Sequence, residues 1–503
     1  MSLTDQLNDI INSLGGFGPE AWLSAAFCGL LIAELLFLRS SRVQTRRCLA
    51  VGSIVSVTVA GIWTVVLPVR GFLFLHLLFV DNQAVFFQAL VALAAGVVIL
   101  YDLLSVPSTK TSKLPLEWYA LLVAMTLGLF LMAKSVNLLS IYLSIELVSI
   151  SSYLLTALAA DRKASEGGIK YLLFGAISSA IMLYGMSLLY GMTGTLDITA
   201  NVFGAELARQ DGAVAAVAVL LTLAGLLFKL AGVPFHIWTP DAYEAAPVPV
   251  AAFFSVAPKA AAVLIVMRIV TALPVESIGG GEATVAVLQT PLAVLALAGI
   301  LIGNLSALRQ TDAKRLLAYS TIAQAGFLLV GVVALSQAGF EAVLFYASTY
   351  LFISLAAFFL IDLLAKASGN DGDLTIHRFA GMGAKQPLVS VALTVVMLAL
   401  TGLPPTVGFT AKLLSFSALY DTYQRSGNPW LLALFVLGLL NAIISLVYYL
   451  KIPFLLFFRP DTNDQRTDGY LPRGAMWLTI GLVVPVIALF VKPEWILGFI
   501  TGW

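Results

Sequence analysis

Three lysines and one glutamate lie within long apolar stretches of the sequence. Lys229 follows "AVAAVAVLLTLAGLLF", Lys259 follows "FFSVAP", Lys412 lies in "PPTVGFTAKLLSF", and Glu146 lies in "VNLLSIYLSIELVSISSYLL". An ionisable side chain at membrane depth costs roughly 2.5–3.5 kcal/mol to insert and usually marks a functional path. Burial favours a neutral lysine, whereas a nearby carboxylate favours a charged one. A buried lysine with a carboxylate that approaches and withdraws can therefore carry a proton.

Prolines stand close to each of the three lysines. They are Pro234, Pro258, Pro404 and Pro405. Proline has no N–H and leaves a helical carbonyl without a donor, and at membrane depth such a carbonyl must bond to protein or to water in a cavity. Water in that cavity also lowers the cost of an ammonium group. Lysines beside helix breaks thus predict a hydrated path along which protons move.

Several of the polar residues leave two interpretations open. His236 lies two turns beyond Lys229. Its unperturbed pKa of about 6.5 suits a proton relay, and the same position suits a histidine that bonds a freed carbonyl at a helix end. Asp241 follows Thr-Pro, and we expect it to cap the next helix rather than take part in the chemistry. For Glu146 the alternative is a structural hydrogen bond to a neighbouring helix.

The composition places the chain in a membrane. It has 503 residues, of which 60% are hydrophobic and 11% are charged, whereas soluble domains carry roughly 25% charged residues. The net charge of +1 gives no reason to expect a nucleic-acid partner. Cys28 and Cys48 lack the spacing of a metal or iron–sulphur site. We expect an all-α polytopic membrane protein, with the lipid bilayer as its solvent and no metal site.

Fourteen apolar stretches match the roughly 20 residues that a membrane crossing requires. They are residues 20–38, 49–69, 82–104, 116–133, 136–160, 169–192, 213–236, 248–273, 284–306, 313–336, 341–365, 387–424, 430–458 and 475–491. The twelfth contains "TGLPPTVGF" and is predicted to be one discontinuous helix, since two separate spans would give fifteen crossings. With fourteen crossings, eighteen Lys and Arg residues fall on one side and six on the other. This bias predicts that the eighteen face the cytoplasm and that both termini are outside.

At these residues the sequence resembles the antiporter-like subunits of respiratory complex I, the proton-pumping NADH:quinone oxidoreductase. The resembling stretches are "SIELVSISSYLL", "GGIKYLLFGAISSAIMLYGMSLLYGMTGT", "FKLAGVPFHIWTPDAYEAAPVPVAAFFSVAPKAA", "NLSALRQTDAKRLLAYSTIAQAGFLLVG" and "LTGLPPTVGFTAKLLSF". The bacterial N type is the best match within the family, because "TPDAYEAAP" resembles its loop motif and Lys412 stands where the M type has a glutamate. Ala246 departs from the glycine expected in that motif.

The resemblance implies a core of fourteen transmembrane helices with two inverted five-helix repeats, helices 4–8 and 9–13, in which helices 7 and 12 are broken. It implies N-terminal helices 1–3 in residues 1–110, the first repeat in 111–275, the second repeat in 276–460, and a C-terminal loop with helix 14 in 461–503. It also implies a glutamate on helix 5 and lysines on helices 7, 8 and 12. Glu146, Lys229, Lys259 and Lys412 occupy these positions.

The resemblance further implies partners and a location. The partners are the M-type antiporter-like subunit and small K-, J- and A-type subunits, in a bacterial inner membrane with both termini periplasmic. NADH, FMN, iron–sulphur clusters and quinone are expected in partner subunits, and no cofactor is expected in this chain. The alternatives are a subunit of a multi-subunit cation/proton antiporter and a structural spacer of the membrane arm.

Overall fold

Helices make up most of the described structure. It is a computed structural model and describes residues 3–36, 42–105, 115–274, 284–369, 374–460 and 471–501. Its α-helices are α1 Leu3–Ser13, α2 Gly18–Leu36, α3 Arg42–Val66, α4 Asn82–Ser105, α5 Trp118–Lys134, α6 Leu138–Ala157, α7 Arg162–Thr193, α8 Asn201–Leu207, α9 Gly212–Leu230, α10 Trp238–Ala245, α11 Val248–Thr271, α12 Thr284–Ala307, α13 Ala313–Val333, α14 Gln337–Ala367, α15 Met382–Lys385, α16 Pro387–Thr401, α17 Val407–Ser426, α18 Pro429–Phe458, α19 Arg473–Val491 and α20 Glu494–Thr501. A short antiparallel hairpin of β1 (Gly71–Leu73) and β2 (Leu78–Val80) departs from the all-α prediction. The prediction of a helical, polytopic membrane protein is otherwise confirmed.

Twelve helices in the described ranges are long and apolar enough to cross a membrane. They are α2, α3, α4, α6, α7, α9, α11, α12, α13, α14, α18 and α19. The fourth predicted span coincides with α5, and the twelfth begins with α16; these are shorter apolar helices of 17 and 15 residues. Two of the fourteen predicted spans therefore rest on helices shorter than a straight crossing requires.

The first helix break lies between α9 and α10. Helix α9 ends at Leu230 and not at residue 236 as predicted, and Ala231 then adopts a positive φ of 59°. The helical bond to the Leu230 carbonyl would come from the residue four positions on, which is Pro234. Since proline has no N–H, the helix ends one turn before it, and the carbonyl is left for another donor.

The second break lies between α16 and α17. Helix α16 ends at Thr401, and Gly402 follows in the left-handed conformation with a φ of 87°. The carbonyls of Leu400 and Thr401 would be bonded by residues 404 and 405, which are both prolines. Helix α17 then begins at Val407. The twelfth predicted span is thus discontinuous, as the sequence indicates.

The chain forms two compact units. Unit 1 consists of Met1–Leu100, Thr111–Leu230 and Ala257–Pro291, and unit 2 consists of Tyr101–Lys110, Ala231–Val256 and Leu292–Trp503. Glu146, Lys229 and Lys259 therefore belong to unit 1, whereas His236 and Lys412 belong to unit 2. The predicted boundaries after residues 110 and 275 lie outside the described residues, so the predicted four-part division stays a prediction.

In unit 1, α7 contacts both α6, which carries Glu146, and α9, which carries Lys229. Glycines allow α7 and α9 to approach closely. A Cβ on Gly185 would lie 2.3 Å from the backbone nitrogen of Thr222, and one on Gly225 would lie 2.4 Å from Met182 Sδ. Small residues at such contacts let membrane helices pack by van der Waals contact. Helix α7 thereby fixes the helices of both charged residues.

In unit 2, α14 contacts α13, α16, α17 and α19. Helices α13 and α14 are buried along almost their whole apolar length. The two halves of the broken helix, α16 and α17, are therefore held against a buried helix. This arrangement fixes the position of Lys412 on α17.

Candidate functional site

Lys229 is surrounded by hydroxyl and aromatic groups. Its Nζ donates a hydrogen bond to Ser152 Oγ on α6 at 3.4 Å. The rings of Tyr153, Tyr171 and Phe228 have their centroids 5.5, 5.3 and 5.5 Å from Nζ. An aromatic face attracts a cation by about 0.5–2 kcal/mol. With 2% of the residue exposed, the ammonium is held by protein groups that carry no full negative charge.

Glu146 is half-buried and bonded to a neighbouring helix. Ser179 Oγ on α7 donates to Glu146 Oε1 at 2.5 Å. In the part of the chain that the structure describes, Glu146 and Lys229 form no ion pair within 4.0 Å, although their charges interact. The contact with Ser179 is the one that the structural alternative for Glu146 requires. It leaves the carboxylate free to influence Lys229 without fixing the lysine.

Hydroxyl groups connect the surroundings of Glu146 with those of Lys229. The Tyr153 hydroxyl interacts with Ser149, one turn beyond Glu146 on α6, and the Tyr171 hydroxyl interacts with Ser152. Gly175 on α7 makes room for this arrangement, because a Cβ there would lie 1.8 Å from the Tyr153 hydroxyl oxygen. The serine and tyrosine spacing of "ELVSISSY" is the signal for this arrangement in the sequence.

Lys259 is on α11, and its side chain reaches the carboxyl end of α9 and bonds to the backbone there. Its Nζ donates to the Leu230 carbonyl oxygen, which is the carbonyl that Pro234 leaves without a donor. The carboxyl end of a helix carries a partial negative charge, which favours an ammonium group there. Since Leu230 follows Lys229 directly, the two lysines predicted on separate helices meet at the carboxyl end of α9, in unit 1.

Lys412 makes the corresponding contact in unit 2. Its Nζ donates to the carbonyl oxygens of Thr401 at 2.7 Å and Leu400 at 3.1 Å. The Phe327 ring centroid lies 4.2 Å from Nζ. The residue is 6% exposed. The positively charged group is therefore bound by backbone dipoles and an aromatic face.

A buried polar network extends from the same break and was missed by the sequence analysis. Gln324 on α13 donates to the Leu400 carbonyl at 2.8 Å and to the Tyr449 hydroxyl at 3.1 Å. The Tyr346 hydroxyl donates to Gln324 Oε1, and Ser320 and Tyr449 share a hydrogen bond of 2.5 Å. These residues are neutral, and Tyr449 on α18 lies 125 residues along the chain from Gln324 on α13. Chain order therefore gave no signal for their convergence.

His236 lies in the segment between α9 and α10. Its ring interacts with the Pro234 carbonyl, which fits the helix-end interpretation. Its Nδ1 is buried and has no hydrogen-bond partner among the described residues. The ring thus combines one structural contact with one nitrogen that is available to a proton or a water molecule.

Asp241 does not cap the next helix, and the prediction that it would was wrong. Helix α10 has Ile237 at its N-cap without a side-chain hydrogen bond. Asp241 Oδ1 instead pairs with Arg315 Nη1 at 2.8 Å, and Glu244 Oε2 pairs with the same nitrogen at 2.7 Å. Lys314 Nζ also donates to the Glu244 carbonyl at 2.6 Å. Arg315 on α13 binds both carboxylates, and these ion pairs hold α10 against α13.

A third carboxylate lies next to these ion pairs and caps α13. Asp312 is the N-cap of α13, and its Oδ1 accepts the Arg315 N–H at 2.9 Å. Burial raises the pKa of Asp312, and the backbone N–H of Arg315 acts in the opposite direction. The first turn of α13 is thereby fixed at both its backbone and its side chains.

Comparisons with known proteins place the arrangement in a family. Residues 135–444, more than half of the chain, match the family described as "NADH:quinone oxidoreductase/Mrp antiporter, TM". The protein named NADH-quinone oxidoreductase subunit N 2 from Chloroherpeton thalassium is 36% identical over 469 residues, which are 92% of this chain and 90% of that protein.

Solved structures share the fold over nearly the whole chain. A chain of respiratory complex I from Thermus thermophilus with bound aureothin is 28% identical, with a TM-score of 0.78 over 95% of this chain and 98% of that one. A chain of the Mrp complex from Dietzia sp. is 20% identical, with a TM-score of 0.75 over 96% of each chain. At that identity the second likeness concerns the fold alone.

Proposed function

We propose a function from the premise that this chain belongs to the NADH-quinone oxidoreductase subunit N family. The chain translocates protons in the membrane arm of a respiratory NADH:quinone oxidoreductase. The redox chemistry takes place in partner subunits that hold NADH, FMN, iron–sulphur clusters and quinone. The immediate partners are the M-type antiporter-like subunit and the small K-, J- and A-type subunits.

The proposal includes the finer architecture. The chain crosses a bacterial inner membrane fourteen times, with α5 and the broken pair α16–α17 as the two crossings beyond the twelve long apolar helices. The fourth to eighth crossings, in residues 111–275, and the ninth to thirteenth, in residues 276–460, form two inverted repeats. Both termini are periplasmic. The charge bias of eighteen to six Lys and Arg residues supports this orientation.

The binding of Lys259 and Lys412 to freed backbone carbonyls carries the functional proposal. A lysine in a buried ion pair cannot lose its proton without leaving a buried carboxylate unpaired, which costs several kcal/mol. Among the described residues, Lys259 and Lys412 donate to the carbonyls of Leu230, Leu400 and Thr401 and form no ion pair. A neutral amine still has N–H donors for these carbonyls. Both lysines can therefore change protonation state in place.

Glu146 and Lys229 supply the charge movement that drives the transfer in unit 1. Moving one charge against 100 mV costs about 2.3 kcal/mol. A carboxylate and an ammonium group at roughly 4 Å interact by about 4 kcal/mol at an effective dielectric constant of 20. The change in interaction energy when this pair opens or closes is thus large enough to move a proton to Lys259. In unit 2, His236 and Lys412 are the proposed carriers.

One experiment separates the proposal from its alternatives. The complex is purified through a tag on this chain, its subunits are identified, and NADH-driven proton uptake is measured in liposomes. NADH-oxidising partners and proton uptake that falls in Lys412→Met support the proposal. Small antiporter subunits instead would identify a cation/proton antiporter, whose fold the chain shares. Unchanged uptake by Lys412→Met in an intact complex would favour a structural spacer.

A further inference from the structure

A second buried pair of opposite charges lies in unit 1, away from Glu146 and the lysines of the break. Lys134 Nζ, at the end of α5, lies 2.7 Å from Glu20 Oε1, in the first turn of α2. The side chains are 1% and 0% exposed. In the predicted topology Lys134 directly follows the fourth apolar stretch, residues 116–133, as a charge of an outer loop. The structure instead buries it against the N-terminal part of the chain, where its Nζ also donates to the Gly16 carbonyl at 3.2 Å.

Gln88 on α4 completes this cluster, in which the hydrogen-bond acceptors outnumber the donors. Its Nε2 donates to Glu20 Oε1 at 2.7 Å and to the Phe130 carbonyl at 3.1 Å. Glu20 Oε1 thus receives two donors. Glu20 Oε2 and Gln88 Oε1 are both buried, and neither has a hydrogen-bond partner in the described part of the chain. A buried acceptor without a donor costs about 1–3 kcal/mol, and this cluster holds two on adjacent side chains.

A protonated carboxyl group supplies the missing hydrogen. An ionised carboxylate is an acceptor only, whereas a carboxylic acid has one O–H donor. A proton on Glu20 Oε2 turns one orphaned acceptor into a donor, and Gln88 Oε1 is an acceptor on the side chain that already bonds the other carboxyl oxygen. The acid and the amide can then exchange two hydrogen bonds instead of one.

A proton on Glu20 Oε2 does not leave Lys134 without acceptors. Glu20 Oε1 stays an acceptor in the acid, so Lys134 Nζ keeps its contacts with that oxygen and with the Gly16 carbonyl. The next charged pair is Arg268 with Asp81, whose atoms Nη2 and Oδ1 lie 2.7 Å apart. Arg268 also donates to the Ser135 carbonyl at 3.1 Å, next to Lys134 in the chain. Both pairs therefore lie at the carboxyl end of α5, and each cation has a carboxylate of its own.

We propose that Glu20, Lys134 and Gln88 form a proton-binding site in unit 1, in which Glu20 Oε2 takes up the proton and Gln88 Oε1 accepts its hydrogen bond. The carboxyl end of α5 lies on the outer side in the predicted topology. The release of this proton to the outside rests on the proposed function. The binding itself does not, because it requires only the cluster.

Infrared difference spectroscopy of the purified complex at two pH values tests the site without NADH or turnover. A protonated carboxyl group absorbs apart from a carboxylate. We expect a carboxyl band that is lost in Glu20→Gln and kept in Asp81→Asn, the matched control at the neighbouring ion pair. Identical spectra for wild type and Glu20→Gln, in assembled complex, would establish a fixed ion pair and overturn the proposal.

Gln88→Met supplies a second measurement in case Glu20→Gln does not assemble. It keeps the length of the side chain and removes the amide. We expect the carboxyl band to shift, because the O–H loses its acceptor, and an unchanged band would overturn the assignment. A failure of proton pumping in the complex would leave both infrared results as they are, so the two proposals are distinguishable.

Discussion

Lys412 Nζ donates to the Thr401 carbonyl oxygen at 2.7 Å. That carbonyl is free because the residue four positions on is Pro405. The Leu400 carbonyl, freed in the same way by Pro404, accepts from Nζ at 3.1 Å. The lysine on the second half of the broken helix thus satisfies the backbone of the first half. Its position depends on the geometry of the residues between the halves.

Gly402→Ala should displace Lys412. A Cβ on Gly402 would lie 2.8 Å from Lys412 Cδ, so the side chain must move away from the carbonyls of α16. We expect NADH-driven proton uptake to fall roughly tenfold, the equivalent of about 1.4 kcal/mol, in a complex that retains the subunit. The measurement is proton uptake by liposomes at matched complex content.

Gly427→Ala is the matched control. Gly427 and Gly402 both have a positive φ, 65° and 87°, so alanine at either carries a similar left-handed penalty of about 1–2 kcal/mol. No atom lies within 4 Å of a Cβ on Gly427. Equal losses in the two variants would attribute the defect to backbone strain and contradict a role for the position of Lys412.

Gly175→Ala should disturb the hydroxyl groups around Lys229. Its Cβ would lie 1.8 Å from the Tyr153 hydroxyl oxygen, and the tyrosine must leave its place beside Ser149 and Lys229. We expect a clear fall in coupled NADH oxidation. Gly191, on the same helix α7, has nothing within 4 Å of a Cβ, and Gly191→Ala should leave activity unchanged. A normal rate for Gly175→Ala would show that Tyr153 takes no part in the path.

Much of this site could be predicted from local sequence. Glu146, Lys229, Lys259 and Lys412 are visible as charges in apolar stretches, and the breaks follow from proline chemistry. The i to i+4 rule also identifies which carbonyls the prolines free. The donors that reach those carbonyls could not be predicted, because they come from other helices.

The ion pairs outside the break are the clearest failure of sequence reasoning. Glu20 and Lys134 lie on different helices, and Asp81, which directly precedes α4, pairs with Arg268 on α11. Each charge is close to the end of an apolar stretch, which is also where a solvated loop charge would stand. Only the packing of α2, α4 and α5 separates the two cases. The twelve long spans were readable from hydropathy, since they need no information about partners.

Glu146→Gln removes the charge and keeps an acceptor for Ser179. We expect an assembled complex with strongly reduced proton pumping and quinone-linked NADH oxidation, because the driving charge for Lys229 is lost. Ser179→Ala, which removes only the 2.5 Å hydrogen bond, should reduce activity less. Undiminished coupled turnover in Glu146→Gln would assign the residue to a structural hydrogen bond.

Cysteine labelling tests the predicted topology. Cys28 and Cys48 are exposed and must first be replaced. A cysteine placed within residues 39–47 should then be labelled only from the cytoplasmic side, and one within residues 205–212 only from outside. Labelling of both from the same side would contradict the fourteen-crossing arrangement.

Lys229→Arg separates a fixed positive charge from a proton carrier. A guanidinium group keeps its proton in proteins, whereas lysine readily changes protonation state when buried. Arginine can bond Ser152 and stack on the rings of Tyr153 and Tyr171, so it suits a fixed cation. We expect Lys229→Arg to assemble and to pump nearly as poorly as Lys229→Met, at least about tenfold below wild type. Because the larger head group also crowds the rings, the decisive outcome is a positive one: near-normal proton uptake by Lys229→Arg, at matched complex content, would exclude Lys229 as a carrier.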